Sequence, residues 1–319
     1  LVGNTLLERA QLFGHFPAVL HAGFPEHKLV IRNLAWSADE IGLAPRPANF
    51  ADNDQHLVRF QADVIFAAYG FNESFAGPEG LGEFRQKLSS FLRELASKAY
   101  NGRTPPRIVL LSPTANENVA GVAAADLNND RIRAYVAAMR EVAAEQGIAF
   151  VDLFEPTLGP LADPATDLTI NGCHLTSVGY ELFARAVFAA CFGREAPAVD
   201  ERLRQAVVDL DRQFFRRYRP LNTFYYTGDR NKEYGYLDFL PAMRNFDILC
   251  GNRDRRIWDL AAGRPVPAKP DDSNLPEMPT VKESRGANEW LPAEQEQAAF
   301  KVDPRFEVNL FARSEEHTS

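Results

Sequence analysis

Val64-Ile65-Phe66-Ala67-Ala68-Tyr69-Gly70-Phe71-Asn72-Glu73-Ser74 is the stretch on which the fold turns. An apolar, β-prone run stops abruptly at a glycine and gives way to a polar loop, as a strand buried on both faces does at its carboxyl end. Next comes a helical stripe, with Phe84, Leu88, Phe91, Leu92 and Leu95 at i, i+4, i+7, i+8 and i+11. A second apolar run, Ile108-Val109-Leu110-Leu111, follows. Strand, helix, strand in that order predicts a right-handed crossover between parallel neighbours.

The unit repeats in both directions. Downstream, Ile132, Tyr135, Val136, Met139 and Val142 mark another helix, and Ile148-Ala149-Phe150-Val151 another strand. Upstream, Leu29-Val30-Ile31 reads as a strand, and Leu1-Val2 as the stump of the first one, followed by a helix over about 6–22. The expected class is α/β, a parallel sheet with helices on both sides. Beyond Gly193 the pattern changes to a helix carrying Leu203, Val207, Leu210 and Phe214. Then come the aromatic clusters Phe224-Tyr225-Tyr226 and Tyr234-Gly235-Tyr236, and a helix from Phe239 to Leu249. Pro-rich, charged residues 263–297 read as a linker.

Composition narrows the function. The chain has 319 residues, 45% hydrophobic and 24% charged, which is enough apolar material for a packed core and excludes wholesale disorder. A net charge of −8 argues against nucleic acid as partner, because no concentrated basic face is present to displace counterions. No apolar run is long enough to span a membrane. Cys173, Cys191 and Cys250 are too few and scattered for a disulfide framework or a zinc site, and read as small buried hydrophobes. No metal or organic cofactor is expected. Gly77, Gly80 and Gly82 match no phosphate-binding fingerprint and read as a loop.

In an open α/β sheet the ligand crevice lies beyond the carboxyl ends of the strands. The residues falling there are Gly3-Asn4-Thr5, Asn33-Leu34-Ala35-Trp36-Ser37, Gly70-Phe71-Asn72-Glu73-Ser74 and Asn171-Gly172-Cys173-His174-Leu175-Thr176. A hydroxyl, an amide, an imidazole and backbone donors on one crevice are the parts of acyl transfer. Thr5 could equally cap the helix that follows it. Ser37 and Ser74 are alternative hydroxyls, and Asn72-Glu73-Ser74 spells a glycosylation sequon by chance.

Over residues 1–195 these blocks resemble the SGNH (GDSL-type) hydrolases, esterases on a flavodoxin-like three-layer α/β/α sandwich. The resemblance implies Thr5 as nucleophile, His174 as general base and Asn171 as the orienter of His174. It assigns the oxyanion hole to the Thr5 and Ala35 N–H groups and the Asn72 amide. The chain departs from the family pattern at the nucleophile, where the family has serine, and at Asn171, where it has aspartate. It also departs at Ala35, where the family has glycine, and at Asn4, where it has aspartate. Asp167 and Asp152 are carboxylates that could stand in for the missing aspartate.

The part after residue 195 resembles the stretch following such a domain in large planctomycete multidomain proteins. That resemblance implies a helical, aromatic-rich extension at 196–262 packed on the hydrolase domain, and an opening strand of a sugar-dehydrogenase-like β-propeller at 298–312. Residues 313–319 read as an assembly scar. An exported bacterial or metagenomic protein is expected, its signal peptide not visible here. The function implied is ester hydrolysis on a small-molecule or glycan ester. The other reading is an impaired module that binds glycans or braces a propeller.

Overall fold

The computed structural model describes residues 1–123, 125–163, 165–220, 235–278 and 291–311. Four strands, β1 (Val2–Gly3), β2 (Val64–Ala68), β3 (Arg107–Leu111) and β4 (Ala149–Val151), lie in that order in one sheet. All pairs are parallel, in register through Val2↔Ala67, Ala67↔Leu110 and Leu110↔Phe150. The continuous apolar runs are explained by what each face meets. On β2, Ile65 and Ala67 enter one core cluster with Leu88, Leu92 and Met139, while Phe66 and Ala68 enter another with Phe16, Phe183 and Val187. Alternate side chains point to opposite faces, so a strand covered on both must be apolar throughout.

The first of those clusters is supplied by α4 (Gly77–Ala96) and α5 (Ala125–Glu145), the second by α1 (Thr5–Ala10), α2 (His15–Gly23) and α7 (Ser177–Phe192). Three layers result, as expected. The shorter α3 (Asn53–Arg59) opens on a capping box between Asp52 and Gln55, and α6 (Phe154–Ala162) follows β4.

The second strand is displaced from its expected place. Leu29-Val30-Ile31 is not a strand, and Val30 is 55% exposed. The chain reaches the sheet a few residues later. Leu1 N–H donates to Arg32 O (2.8 Å), Leu34 N–H to Leu1 O (2.8 Å) and Trp36 N–H to Gly3 O (3.0 Å). Residues 32–36 thus run parallel to β1 at the outer edge, where Leu34 and Ala35 are buried. The spatial order is then second, first, third, fourth, fifth, the flavodoxin-like order.

Three further expectations change. The helix over 6–22 is two helices, α1 and α2, broken at Gly14, whose φ of +67° suits glycine. Gly77, Gly80 and Gly82 lie in the opening turns of α4, not in a loop. Of the three cysteines only Cys250 is buried; Cys173 and Cys191 are half-buried.

Residues 1–279 form one compact unit and 280–319 a second. In the first, α8 (Glu201–Tyr218) and α9 (Gly235–Ala261) contribute Leu203, Leu210, Phe214, Cys250 and Ile257 to the same core cluster as β2. The helix α9 runs well past Leu249. Its apolar stripe is interrupted by Arg253 and Asp254, which are buried because each is paired. Asp254 receives both ends of the Arg32 guanidinium, and Arg253 reaches Asp209 (2.9 Å) and Asp272 (2.7 Å). Asp272, within the stretch read as linker, also accepts from Asn252 (2.8 Å). In the second unit α10 (Ala293–Ala299) buries no residue. Of residues 298–312, expected to open a following domain, 298–311 are described and carry no strand; a strand needs a paired neighbour, and the described residues provide no partner. The aromatic segment 222–234 and residues 313–319 lie outside the described residues.

Candidate active site

The end of β1 fixes the first group. Asn4 N–H donates to Ala68 O (3.2 Å), and the Asn4 side chain caps α1 by accepting from Leu6 N–H (3.1 Å). Thr5 is therefore not the cap. It is the first residue of α1, and its hydroxyl is turned outward to accept from the Ala38 N–H at 2.9 Å. Its own N–H is among those that a helix start leaves without an intrahelical acceptor.

Ala38 has φ +61°, a left-handed conformation uncommon for a residue with a Cβ. It had no place in the reading of the sequence, which assigned the neighbouring donor to Ala35. The Ala35 N–H is committed elsewhere: it lies 3.1 Å from Asn33 Oδ1, buried, and does not border the cleft. Asn33 makes an Asx-type bond two residues on, which engages Ala35, while the Ala38 N–H is the one that reaches Thr5.

Beyond β2, Glu73 organises the loop that carries Asn72. Its carboxylate accepts from Gly70 N–H (2.8 Å) and Ile41 N–H (3.1 Å). Burial pushes the Glu73 carboxyl up, opposed by those same backbone donors. The Asn72 side chain does not cap the short helical turn that follows, and is left to face the cleft.

His174 sits in a tight turn before α7. Its backbone N–H donates to Asn171 Oδ1 (3.1 Å), and Asn171 Nδ2 lies 2.9 Å from His174 Nδ1. A backbone N–H can only donate, so the oxygen of the Asn171 amide is fixed and its NH₂ faces the ring. Nδ1 therefore accepts, and the neutral imidazole carries its proton on Nε2. Burial lowers the His174 pKa, Arg9 lowers it further and Glu8 opposes them. Burial likewise raises the Cys173 thiol, against Arg9. Asp152 is engaged elsewhere, paired with Arg140 and accepting from Phe154 N–H at the start of α6, and the Nδ1 side of the ring is met by Asn171. Ser74 donates to Phe71 O (2.6 Å) and is buried, which removes it as a nucleophile.

Thr5 at the start of α1, Asn72 after β2 and His174 before α7 line a single cleft together with Phe71, Cys173 and Tyr180. Its volume is about 490 Å³ including the open mouth. Asn171, Ala35 and Ala38 are not on its wall; Ala38 reaches it only through its bond to Thr5 Oγ1. Among the described residues no group of acidic, histidine or cysteine side chains is arranged to hold a metal, and no helix is long and apolar enough to cross a membrane.

A parallel three-layer α/β/α sandwich with its cleft beyond the carboxyl ends of the strands is a flavodoxin-like architecture. The chain belongs to the GDSL-like lipase/acylhydrolase family, whose model matches residues 3–182, and this places it among ester hydrolases. No curated protein sequence matches it. Similar solved structures include LAE5, an alpha/beta hydrolase enzyme from the metagenome of Lake Arreo in Spain. It is 20% identical, with a TM-score of 0.45, over 59% of this chain and 92% of that one. A catalytic mutant of Axe2, an acetylxylan esterase from Geobacillus stearothermophilus, is 18% identical with a TM-score of 0.47, over 62% of this chain and 94% of that one. Likeness at this level bears on no residue's role.

Proposed function

We propose that the cleft is the acyl-transfer site of an ester hydrolase acting on short acyl groups carried by a polar, carbohydrate-like alcohol. Thr5 is its nucleophile, His174 its general base, and Asn171 the orienter of His174. The oxyanion donors are the Thr5 N–H, the Asn72 amide and, in place of Ala35, the Ala38 N–H. The observation that carries this reading is that Thr5, Asn72 and His174 line one cleft, with the Ala38 N–H 2.9 Å from Thr5 Oγ1 just behind its wall. The oxyanion forms on the carbon that Oγ1 attacks, one bond angle away from Oγ1, so the Ala38 N–H can serve it by exchanging its bond from Oγ1 to the oxyanion. The small cleft, with aromatic faces at Phe71 and Tyr180 among polar groups, suits a short acyl chain on a polar carrier.

In this scheme Thr5 Oγ1 adds to the ester carbon as its proton passes to His174 Nε2. The oxyanion collapses, the C–O bond to the alcohol breaks, and His174 returns the proton to the departing alkoxide. Water then adds to the acyl-threonine with His174 again as base, releasing the carboxylic acid and free Thr5. Each cycle needs Nε2 unprotonated, whereas the Asn171 amide favours the opposite tautomer. The Asn171 side chain must turn over before His174 can act, which makes the enzyme slow. The extra methyl of threonine restricts χ1 and adds to this.

That same hydrogen bond favours a second reading, a cleft that binds acylated glycans without cleaving them. Export and a following propeller domain belong to the proposal on the strength of the sequence resemblance. The deciding experiment is hydrolysis of p-nitrophenyl acetate by the wild type, Thr5→Ala and His174→Ala. Turnover lost in both variants supports acyl transfer. Background rates in all three, with a glycan dissociation constant unchanged by His174→Ala, support binding alone.

A further inference from the structure

We propose that Glu117 is a positioning residue for His174, acting through Thr169 and the turn 169–175. The proposal rests on the reading of His174 as the base of the cleft. Glu117 lies in the loop after β3 and is 7% exposed, yet no cation among the described residues pairs with it. A buried carboxylate in that position depends on hydrogen bonds alone. Its Oε2 accepts from both the N–H (2.9 Å) and the hydroxyl of Thr169, which is itself 2% exposed.

The consequence passes along the turn. With its proton committed to Glu117, the Thr169 hydroxyl presents a lone pair, and the Gly172 N–H donates to it at 2.8 Å. The Glu117 N–H donates to Gly172 O (2.8 Å), and Gly172 holds φ +91°, where an added Cβ would stand 2.8 Å from Glu117 O. The turn closes through Ile170 N–H to His174 O (2.9 Å) and the bridge between Thr169 and Leu175. From the other side Asn129 of α5 clamps residue 116, accepting from its N–H (2.7 Å) and donating to its carbonyl (3.1 Å). Glu117 thus joins a fixed helix to the five-residue loop whose last member is His174. None of its contacts reaches the cleft, so it acts through the imidazole and not on substrate.

The test compares Glu117→Gln, Glu117→Ala and Thr169→Val in the full chain by two independent readouts. One is the imidazole nitrogen spectrum of His174, assigned against His174→Ala; the other is ester hydrolysis. Glutamine still offers an acceptor to Thr169, so Glu117→Gln is expected to keep the wild-type spectrum and kcat within roughly threefold. Glu117→Ala is expected to give averaged imidazole nitrogens and a kcat lower by about tenfold to a hundredfold, with KM little changed. Thr169→Val keeps the side-chain shape and removes the hydroxyl relay, and is expected to average the imidazole in the same way, so the test survives misfolding of the alanine variant. Unchanged His174 signals in Glu117→Ala or Thr169→Val overturn the proposal, as does a loss confined to KM or a glutamine variant as impaired as alanine. A wild type without turnover would remove the acyl-transfer reading while leaving the spectra to decide on Glu117.

Discussion

Asn171 governs the tautomer of His174, and a carboxylate of the same shape would reverse it. Aspartate at 171 can still accept from the His174 N–H with one oxygen while the other accepts a proton held on Nδ1, which frees Nε2 to act as base. The inverse change in a serine protease costs about 10⁴ in kcat. Asn171→Asp is therefore expected to raise kcat by about 10²–10⁴-fold, measured on an activated ester, with no gain in the Thr5→Ala background. The pH dependence follows from the environment of His174. Burial and Arg9 hold its pKa below the ordinary 6.5, and a general base works when unprotonated. Activity should rise with pH through a midpoint below 6.5 and stay level above it. Arg9→Gln removes a cation, raises that pKa and shifts the acid limb of the kcat/KM profile to higher pH. At Ala38 the left-handed backbone costs about 1 kcal/mol for a residue with a Cβ. Ala38→Gly is expected to shift the denaturation midpoint upward while preserving the N–H donor. Thr5, Asn72 and His174 were legible in the sequence because each follows a recognisable strand or precedes a recognisable helix. Ala38 was not, since a positive φ leaves no mark on residue type. The available cue was Asn33, whose side chain habitually bonds the N–H two residues on and so disqualified Ala35.

Elements were legible where burial is two-sided, and illegible where a local partner outside the pattern decides. The runs at 64–68, 107–111 and 149–151 are strands because both faces of each are covered. Leu29-Val30-Ile31 has the same β-prone composition, but the Trp258 indole N–H bonds Leu29 O (2.8 Å), and the chain joins β1 only from Arg32 onward. Arg253 and Asp254 hid the second half of α9, because a helix that buries ion pairs loses its apolar period. The break between α1 and α2 was hidden by continuity: apolar residues persist across Gly14, and the reason for the break lies far away in sequence. A Cβ on Gly14 would meet Val208 Cγ2 at 2.9 Å and Arg204 O at 3.1 Å, both on α8. Gly14→Ala combines that crowding with an unfavourable φ and is expected to cost about 1–3 kcal/mol in chemical denaturation. A variant as stable as the wild type would mean that α8 yields easily at this contact.

At the scale of the whole molecule, the segment at 32–36 is an edge, and edges need cover. The helix α8 provides it. The Tyr218 hydroxyl donates to Leu34 O (3.1 Å) and accepts from the Trp36 indole N–H (2.8 Å), two residues before the donor at Ala38. Guanidinium groups lie over the Trp36 ring, Arg46 at 4.3 Å and Arg219 at 4.0 Å, each held by a carboxylate, Asp39 and Glu8 respectively. Phe214 anchors this arrangement. It is 3% exposed, stacks on Tyr218 at 5.8 Å, meets Phe60 edge-on at 5.3 Å and lies under the Arg32 guanidinium at 5.5 Å. The family match ends at residue 182, yet these contacts make α8 part of the core that holds the edge of the sheet and the loop beside Thr5. Phe214→Ala is expected to cost about 3–5 kcal/mol, the range for a large aromatic lost from a packed interior. Because α8 shares its core with β2, the loss should displace one unfolding transition followed by far-UV and near-UV circular dichroism alike. Two separated transitions, with the sheet unfolding at the wild-type midpoint, would show that 196–261 folds apart from the hydrolase layers and that the edge at 32–36 holds without it.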